Sequence, residues 1–401
     1  MPVFSDGNRL LLLDSGKEYF PALLAAIEGA QWEIFLESYI FADDPVGNDV
    51  VAALTRAAQR GVAVRVLVDG FGARRFPELF GARLLAAGAQ YLIYRQELSW
   101  FSFRRFRLRR LHRKLVVVDG RMAFAGGINI IDDNNAPPAL RPRYDYAVRV
   151  EGPVAAEIRQ AMRRMWENVS WASFKRRYRL PPDAMPFPGK PGRQRAAFLA
   201  RDNLRHRHDI VAAYVEALAK AQKSALIANA YFLPGLRFRR ALVGAARRGV
   251  EITILLQGQS DHRLFLLASR MLYQSLLAEG IRVFRYQKSF LHAKVAVVDG
   301  YWATVGSSNI DPFSLLCAQE GNIVIEDCAF AEELAASLER AIVSGAEEIP
   351  PARASLPSRL LARFLGWCTY SVIRGVLGLT GFDARNWRDR DPDESLPPKI
   401  P

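Results

Sequence analysis

Apolar and polar positions along the chain follow two periodicities that alternate, and the alternation is run through twice. Phe20 to Ala30 spaces its apolar residues as one face of a helix, and Glu33 to Phe41 (E-I-F-L-E-S-Y-I-F) follows as a strand. Ala57 to Gly70 (A-A-Q-R-G-V-A-V-R-V-L-V-D-G) then reads as a helix end, a glycine stop and a strand with period-two alternation. The same order returns further on. Ile210 to Lys220 predicts a helix, Ala225 to Phe232 a strand, and Ala245 to Gly258 (A-A-R-R-G-V-E-I-T-I-L-L-Q-G) repeats the glycine stop and strand. Helices alternating with strands predict an α/β fold with sheets covered by helices. The matched order predicts an internal duplication.

Each copy closes on a hairpin pattern. Leu111 to Gly120 reads L-H-R-K-L-V-V-V-D-G, and Phe290 to Gly300 reads F-L-H-A-K-V-A-V-V-D-G. The β-prone runs lead into Asp-Gly, a strong turn signal. Period-two alternation puts His112 and Lys114 on one strand face, and His292 and Lys294 likewise. A two-residue turn at Asp119-Gly120 brings Gly127 opposite His112 on the returning strand, and the same count brings Ser307 opposite His292. Small residues there leave room for a ligand, and Asn129 and Asn309, at matched distances beyond, donate into the same space. Imidazole, ammonium and carboxamide converging on one spot suit a phosphoryl group, and two such spots predict one shared site with pseudo-twofold symmetry.

These residues carry a resemblance. The doubled H-x-K-x(4)-D with G-x-x-N at matched distance resembles the phospholipase D superfamily and its paired HKD motifs, and more narrowly its bacterial cardiolipin synthases, over most of residues 18–345. It resembles the shorter type without the paired N-terminal transmembrane helices of many members. The resemblance implies two pseudo-symmetric α/β/α sandwich halves sharing one active site at their interface. The Pro/Gly-rich run Leu180 to Gly192 sets the boundary between them, giving residues 1–180, a linker 181–195 and residues 196–350. A C-terminal membrane-associating segment and polar tail then occupy residues 351–401.

Phosphodiester exchange needs a nucleophile, an acid for the leaving alcohol and positive donors for the phosphoryl oxygens. His112, Lys114, His292 and Lys294 supply these without metal or cofactor. Asp119 and Asp299 complete the catalytic motifs but sit at the turns, where a structural hydrogen-bonding role is expected. A nucleophilic imidazole needs its second nitrogen anchored. Asp145 and Glu320, which match acidic positions of the family, are the candidates, with either serving either histidine. The resemblance makes His112 the more usual nucleophile and lines the cleft with Glu37, Tyr39, Asn229 and Tyr231.

Charge narrows the partners. Lys and Arg total 55 against 41 Asp and Glu, a formal net charge of +14, which predicts attraction to a polyanion: an anionic membrane surface or nucleic acid. Leu98 to Leu111 interleaves Trp100, Phe101, Phe103 and Phe106 with arginines, a mixture suited to a lipid interface. Leu356 to Phe382 is apolar, but Arg374 near its middle favours an interfacial over a spanning helix. With three widely spaced cysteines and no C-x-x-C, no disulfide framework or zinc site is expected. The reading is a peripheral enzyme of the bacterial cytoplasmic membrane that moves a phosphatidyl group between phosphatidylglycerols. The alternatives are a phospholipase D-type hydrolase or nucleic-acid phosphodiesterase, and an inactive membrane-binding scaffold.

Overall fold

A computed structural model describes residues 2–95, 109–175, 178–183, 185–202, 206–258, 273–311 and 318–351. The aromatic–basic stretch with Trp100, Phe101, Phe103 and Phe106, and the C-terminal segment from residue 352, lie outside the described residues.

The first half runs β1 (Ser5–Asp14), α1 (Ser15–Glu28), β2 (Glu33–Ser38), α2 (Pro45–Gln59), β3 (Ala63–Asp69), α3 (Ala82–Ala86) and β4 (Gln90–Tyr94). It continues through β5 (Arg110–Leu111), β6 (Leu115–Val118), β7 (Met122–Gly126), β8 (Arg143–Tyr144), β9 (Tyr146–Glu151) and α4 (Pro153–Ala172). The second half repeats this order. It comprises β10 (Gln194–Arg201), α5 (Asp209–Lys220), β11 (Ser224–Asn229), α6 (Leu236–Arg247), β12 (Glu251–Gln257), β13 (Arg282–Tyr286) and β14 (Phe290–Leu291). Then come β15 (Lys294–Val298), β16 (Trp302–Gly306), β17 (Ala318–Glu326), α7 (Cys328–Gly345) and β18 (Ala346–Glu348). β10 begins two residues inside the expected linker.

The local reasons repeat as well. After α2, Gly61 at φ 91° donates to Ala58 O and Val62 to Ala57 O; after α6, Gly249 at φ 92° donates to Ala246 O and Val250 to Ala245 O. Both are helix stops that need a left-handed residue, the role glycine fills without strain. Pro153 opens α4, and the Asp327 carboxylate accepts from Phe330 N (2.9 Å) to cap α7.

The strands order as β4-β3-β2-β6-β7-β9-β1 and then β10-β17-β16-β15-β11-β12-β13-β18, so the second half mirrors the first about the β1–β10 junction. β2, β3 and β4 are parallel, as are β11, β12 and β13, while the hairpins join antiparallel. Alternate strand residues face opposite cores. Ile34 and Leu36 pack with Leu23, Ile27, Val50 and Leu54 of α1 and α2. Phe35 belongs instead to a core that contains α4, α7 and strand residues of both halves, among them Val117, Trp166, Val297, Ile323 and Leu334. Ile227 and Ile254 pack outward on α5 and α6. The halves are therefore α/β layers closed face to face over α4 and α7, and each buries apolar surface the other needs covered.

The hairpins differ from expectation by one residue. Asp119 and Gly120 do form the turn, both at positive φ (50° and 61°), with Arg121 N donating to Val118 O (3.1 Å). The ladder then pairs Val118 with Met122, so Arg121 is an extra, bulged residue. Tyr301 is its counterpart, with Val298 paired to Trp302. Gly127 and Ser307 accordingly do not fall opposite His112 and His292 by ladder register.

Candidate active site

The two H-x-K segments meet where the halves face each other, and each is tied to the half it does not belong to. β5 pairs in parallel with β17, Arg110 against Ala318 and Leu111 against Gln319, and His112 N donates to Gln319 O (2.9 Å). β14 pairs in parallel with β8, Phe290 against Arg143 and Leu291 against Tyr144, and His292 N donates to Tyr144 O (2.7 Å). The next residue of each partner segment then supplies the carboxylate. His112 Nδ1 lies 3.0 Å from Glu320 Oε1, and His292 Nδ1 lies 2.6 Å from Asp145 Oδ2. The assignment left open by the sequence is thus crossed between halves. With Nδ1 held, Nε2 is the nitrogen left for chemistry on side chains 17% and 16% exposed.

The lysines lie beneath the histidines. Lys114 Nζ donates to His112 O (2.6 Å), and Lys294 Nζ donates to His292 O and stands 3.8 Å from Asp145 Oδ2. Burial pushes the Lys114 ammonium down to about 7 and that of Lys294 to about 8. Burial also lowers His112, against the pull of Glu320. It takes His292 well below the ordinary imidazole range, with Lys294 and Lys114 adding to the effect. Asp145 is raised to about 6 by burial, whereas for Glu320 burial, the largest single effect, is outweighed by His112, Lys114 and Ser307 together, which hold the carboxyl low. Two crowded cations with depressed proton affinity make a site that an anion relieves.

Several expected residues have other work. Gly127 and Ser307 do not leave space for a ligand, because the orienting carboxylates fill it. A Cβ on Gly127 would sit 2.3 Å from Asp145 Oδ1, and Ser307 Oγ donates to Glu320 Oε2 (2.5 Å). Asn129 accepts from Ile40 N through Oδ1 (3.0 Å), which leaves its Nδ2 as the donor end; Asn309 is buried with Oδ1 unpartnered among the described residues. Glu37 is no open cleft residue. It forms a buried two-pronged pair with Arg113 (2.8 and 2.8 Å), since Arg113 points to the strand face opposite His112 and Lys114. Asn229 in the equivalent place accepts from Ile310 N (3.2 Å). Tyr39 does reach the site, its ring 4.9 Å from that of His112 and 5.4 Å from Lys114 Nζ. Tyr231, the matching residue, follows the end of β11.

Asp119 and Asp299 lie at the far ends of their hairpins. Asp119 accepts from Gln31, Trp32 and Glu33 N (2.8, 2.8 and 3.0 Å), and Asp299 from Gln222, Lys223 and Ser224 N (2.8, 2.8 and 3.0 Å). One pair of supporting residues escaped the sequence reading: Asp69 Oδ2 accepts from Leu111 N (2.8 Å) and Gln257 Oε1 from Leu291 N (2.7 Å). Their signal was present, because V-D-G and L-Q-G occupy equivalent places in the repeat.

Known proteins resemble the chain over most of its length. A family described as cardiolipin synthase, PLD-like domain, matches residues 23–166 and 214–342. Cardiolipin synthase B of Escherichia coli strain K12 is 40% identical over 344 residues, spanning 86% of this chain and 83% of its own. Cardiolipin synthase A of Pseudomonas entomophila strain L48 is 33% identical over 336 residues, 83% of this chain and 68% of its own. The crystal structure of phosphatidylserine synthase from Haemophilus influenzae Rd KW20 superposes with a TM-score of 0.65 at 13% identity, over 92% of this chain and 94% of that one.

Proposed function

Because the chain belongs to the cardiolipin synthase family of phospholipase D-like proteins, we propose that it joins two phosphatidylglycerol molecules by phosphatidyl transfer at the paired H-x-K site. The observation that carries the reading is the crossed anchoring of two half-buried imidazoles over two buried lysines. In the first step His112 Nε2 attacks the donor's phosphorus. The P–O bond to the departing glycerol breaks as His292 Nε2 passes its proton to that oxygen. In the second step His292 takes the proton from a hydroxyl of the acceptor headgroup as that oxygen attacks phosphorus, and the P–N bond breaks. Lys114, Lys294, Asn129 and Asn309 bear the charge on the phosphoryl oxygens. The bound phosphate draws the lysines and His292 back toward their protonated forms, which supplies the acid for the first step. The family resemblance gives His112 the nucleophile's part, with Glu320 holding its Nδ1.

The enzyme works on lipids as a peripheral protein at an anionic membrane surface. Its excess of 14 positive charges and its aromatic–basic stretch support that placement, and among the described residues no helix is long and apolar enough to cross a membrane. Rapid quench with a labelled phosphatidyl donor tests the mechanism. Label is expected on His112 in the unaltered protein and nowhere in His112→Ala, while His292→Ala accumulates adduct slowly and stalls. Label on His292 instead would reverse the roles, and label on neither would point to direct attack by the alcohol.

A further inference from the structure

Joining two phosphatidylglycerols places a second phosphodiester one glycerol bridge away from the reacting phosphorus, since the acceptor keeps its own phosphate. The H-x-K cations face the reacting group, so the acceptor's phosphate calls for a cation beyond them, on the flank of the histidine that deprotonates the acceptor. Arg143 occupies that flank. It comes from the first half, on β8, and lies in register with Phe290 two residues before His292. Its guanidinium sits 5.0 Å from the centroid of the Phe290 ring, and that ring stacks on the His292 imidazole at 6.1 Å and 17°. Nε and Nη2 donate to Asn135 O (3.2 and 2.9 Å), which holds the half-buried side chain at the rim. Asp133, within electrostatic reach of Arg143, accepts from Gly16 N (2.8 Å). Its charge reaches the site, for Arg143 contributes to the lowered proton affinity of His292 and Lys294. The equivalent position in the second half is Ala318. The cation at that end, Arg110, stacks on Phe71 (4.8 Å) beside the buried carboxylate of Asp69.

We infer that Arg143 binds the phosphodiester of the acceptor lipid and so selects an anionic phospholipid, over water or a neutral alcohol, as the group that resolves the phosphatidyl-enzyme. The inference rests on the phosphatidyl-transfer reading above. A planar guanidinium suits a phosphodiester because it offers paired donors to two oxygens.

The test uses the full chain and mixed vesicles containing labelled phosphatidylglycerol, and follows two reactions from that one donor. One is cardiolipin formation, whose acceptor carries a phosphate; the other is exchange of the headgroup with free glycerol, whose acceptor carries none. Arg143→Gln is expected to raise the phosphatidylglycerol fraction needed for half-maximal cardiolipin formation by about tenfold or more, which corresponds to about 1.4 kcal/mol. Glycerol exchange, which feels only the loss of charge beside His292, is expected to change far less than cardiolipin formation, and Arg143→Lys to recover part of the loss. An equal fall in both reactions overturns the inference in favour of an effect through His292 or the β8–β14 contact. No change in either overturns it outright. Absence of both reactions in the unaltered protein overturns the transfer reading itself, a separate result.

Discussion

At the residue scale, proton affinities set the working range. Asp145 is an anion above about 6 and takes up a proton as pH falls through that value, which weakens its hold on His292. Lys114 and Lys294 carry their charge below about 7 and about 8 and lose it as pH rises through those values. In the free enzyme both limbs therefore press on neutral pH, and kcat/KM is expected to be a narrow bell with its alkaline limb beginning near pH 7. Asp145→Asn is expected to remove the acid limb and to cost on the order of a hundred- to ten-thousand-fold in rate. A kcat/KM that stays flat from about pH 7 to 10 would mean the lysines remain charged in the empty site. Glu37 and Arg113 show how a residue beside the motif can serve it indirectly. Their buried ion pair pins β6 to β2 just where the chain turns from His112 into the strand.

At the element scale, the Asp-Gly hairpin joins three pieces of chain. Its turn residues sit at positive φ, and its carboxylate gathers three backbone N–H groups from the segment that enters β2 or β11. The third motif residue thus sets strand position. Asp299→Ala is expected to cost about 2 kcal/mol of stability, because the freed donors regain only part of what a charged acceptor gave them. Calorimetry would read this as a Tm lower by several degrees, with adduct formation persisting in the cold. A cold-stable fold that forms no adduct would return Asp299 to the chemistry. The lowered proton affinity of Asp299 gives the sign of its pH dependence. Its contribution is present above the ordinary carboxylate range and is lost as pH falls through the lower folded value.

At the scale of the whole molecule, neither half contains a complete site. Each histidine takes a backbone partner and a carboxylate from the other half, so docking the halves over α4 and α7 is also the act that arms them. The surface carries the remaining expectation. Trp100, Phe101, Phe103 and Phe106 changed together to Ser are expected to weaken co-sedimentation with anionic vesicles while leaving the melting transition in place. Interfacial binding follows buried apolar area together with basic attraction. Added salt is expected to weaken binding of the unaltered chain. Undiminished vesicle binding by the substituted chain would move the anchor to the C-terminal stretch, Leu356 to Phe382.

Periodicity and repeat, which are local properties, settled the α/β class, the two-fold order of helices and strands, the glycine stops and both H-x-K-x(4)-D hairpins. Each depends on residues within a few positions of one another, so the pattern carries its own physical cause. Pairing between distant segments was not written there. The strands β1, β9, β10 and β17 that join the halves and the diversion of Glu37 to Arg113 depend on which segment lies alongside which. The crossed assignment of Glu320 to His112 and Asp145 to His292 is of the same kind. Either carboxylate satisfies either imidazole as chemistry. Only the parallel contacts of β5 with β17 and β14 with β8, which exist once both halves have folded and docked, bring each one within hydrogen-bond reach of the histidine it serves.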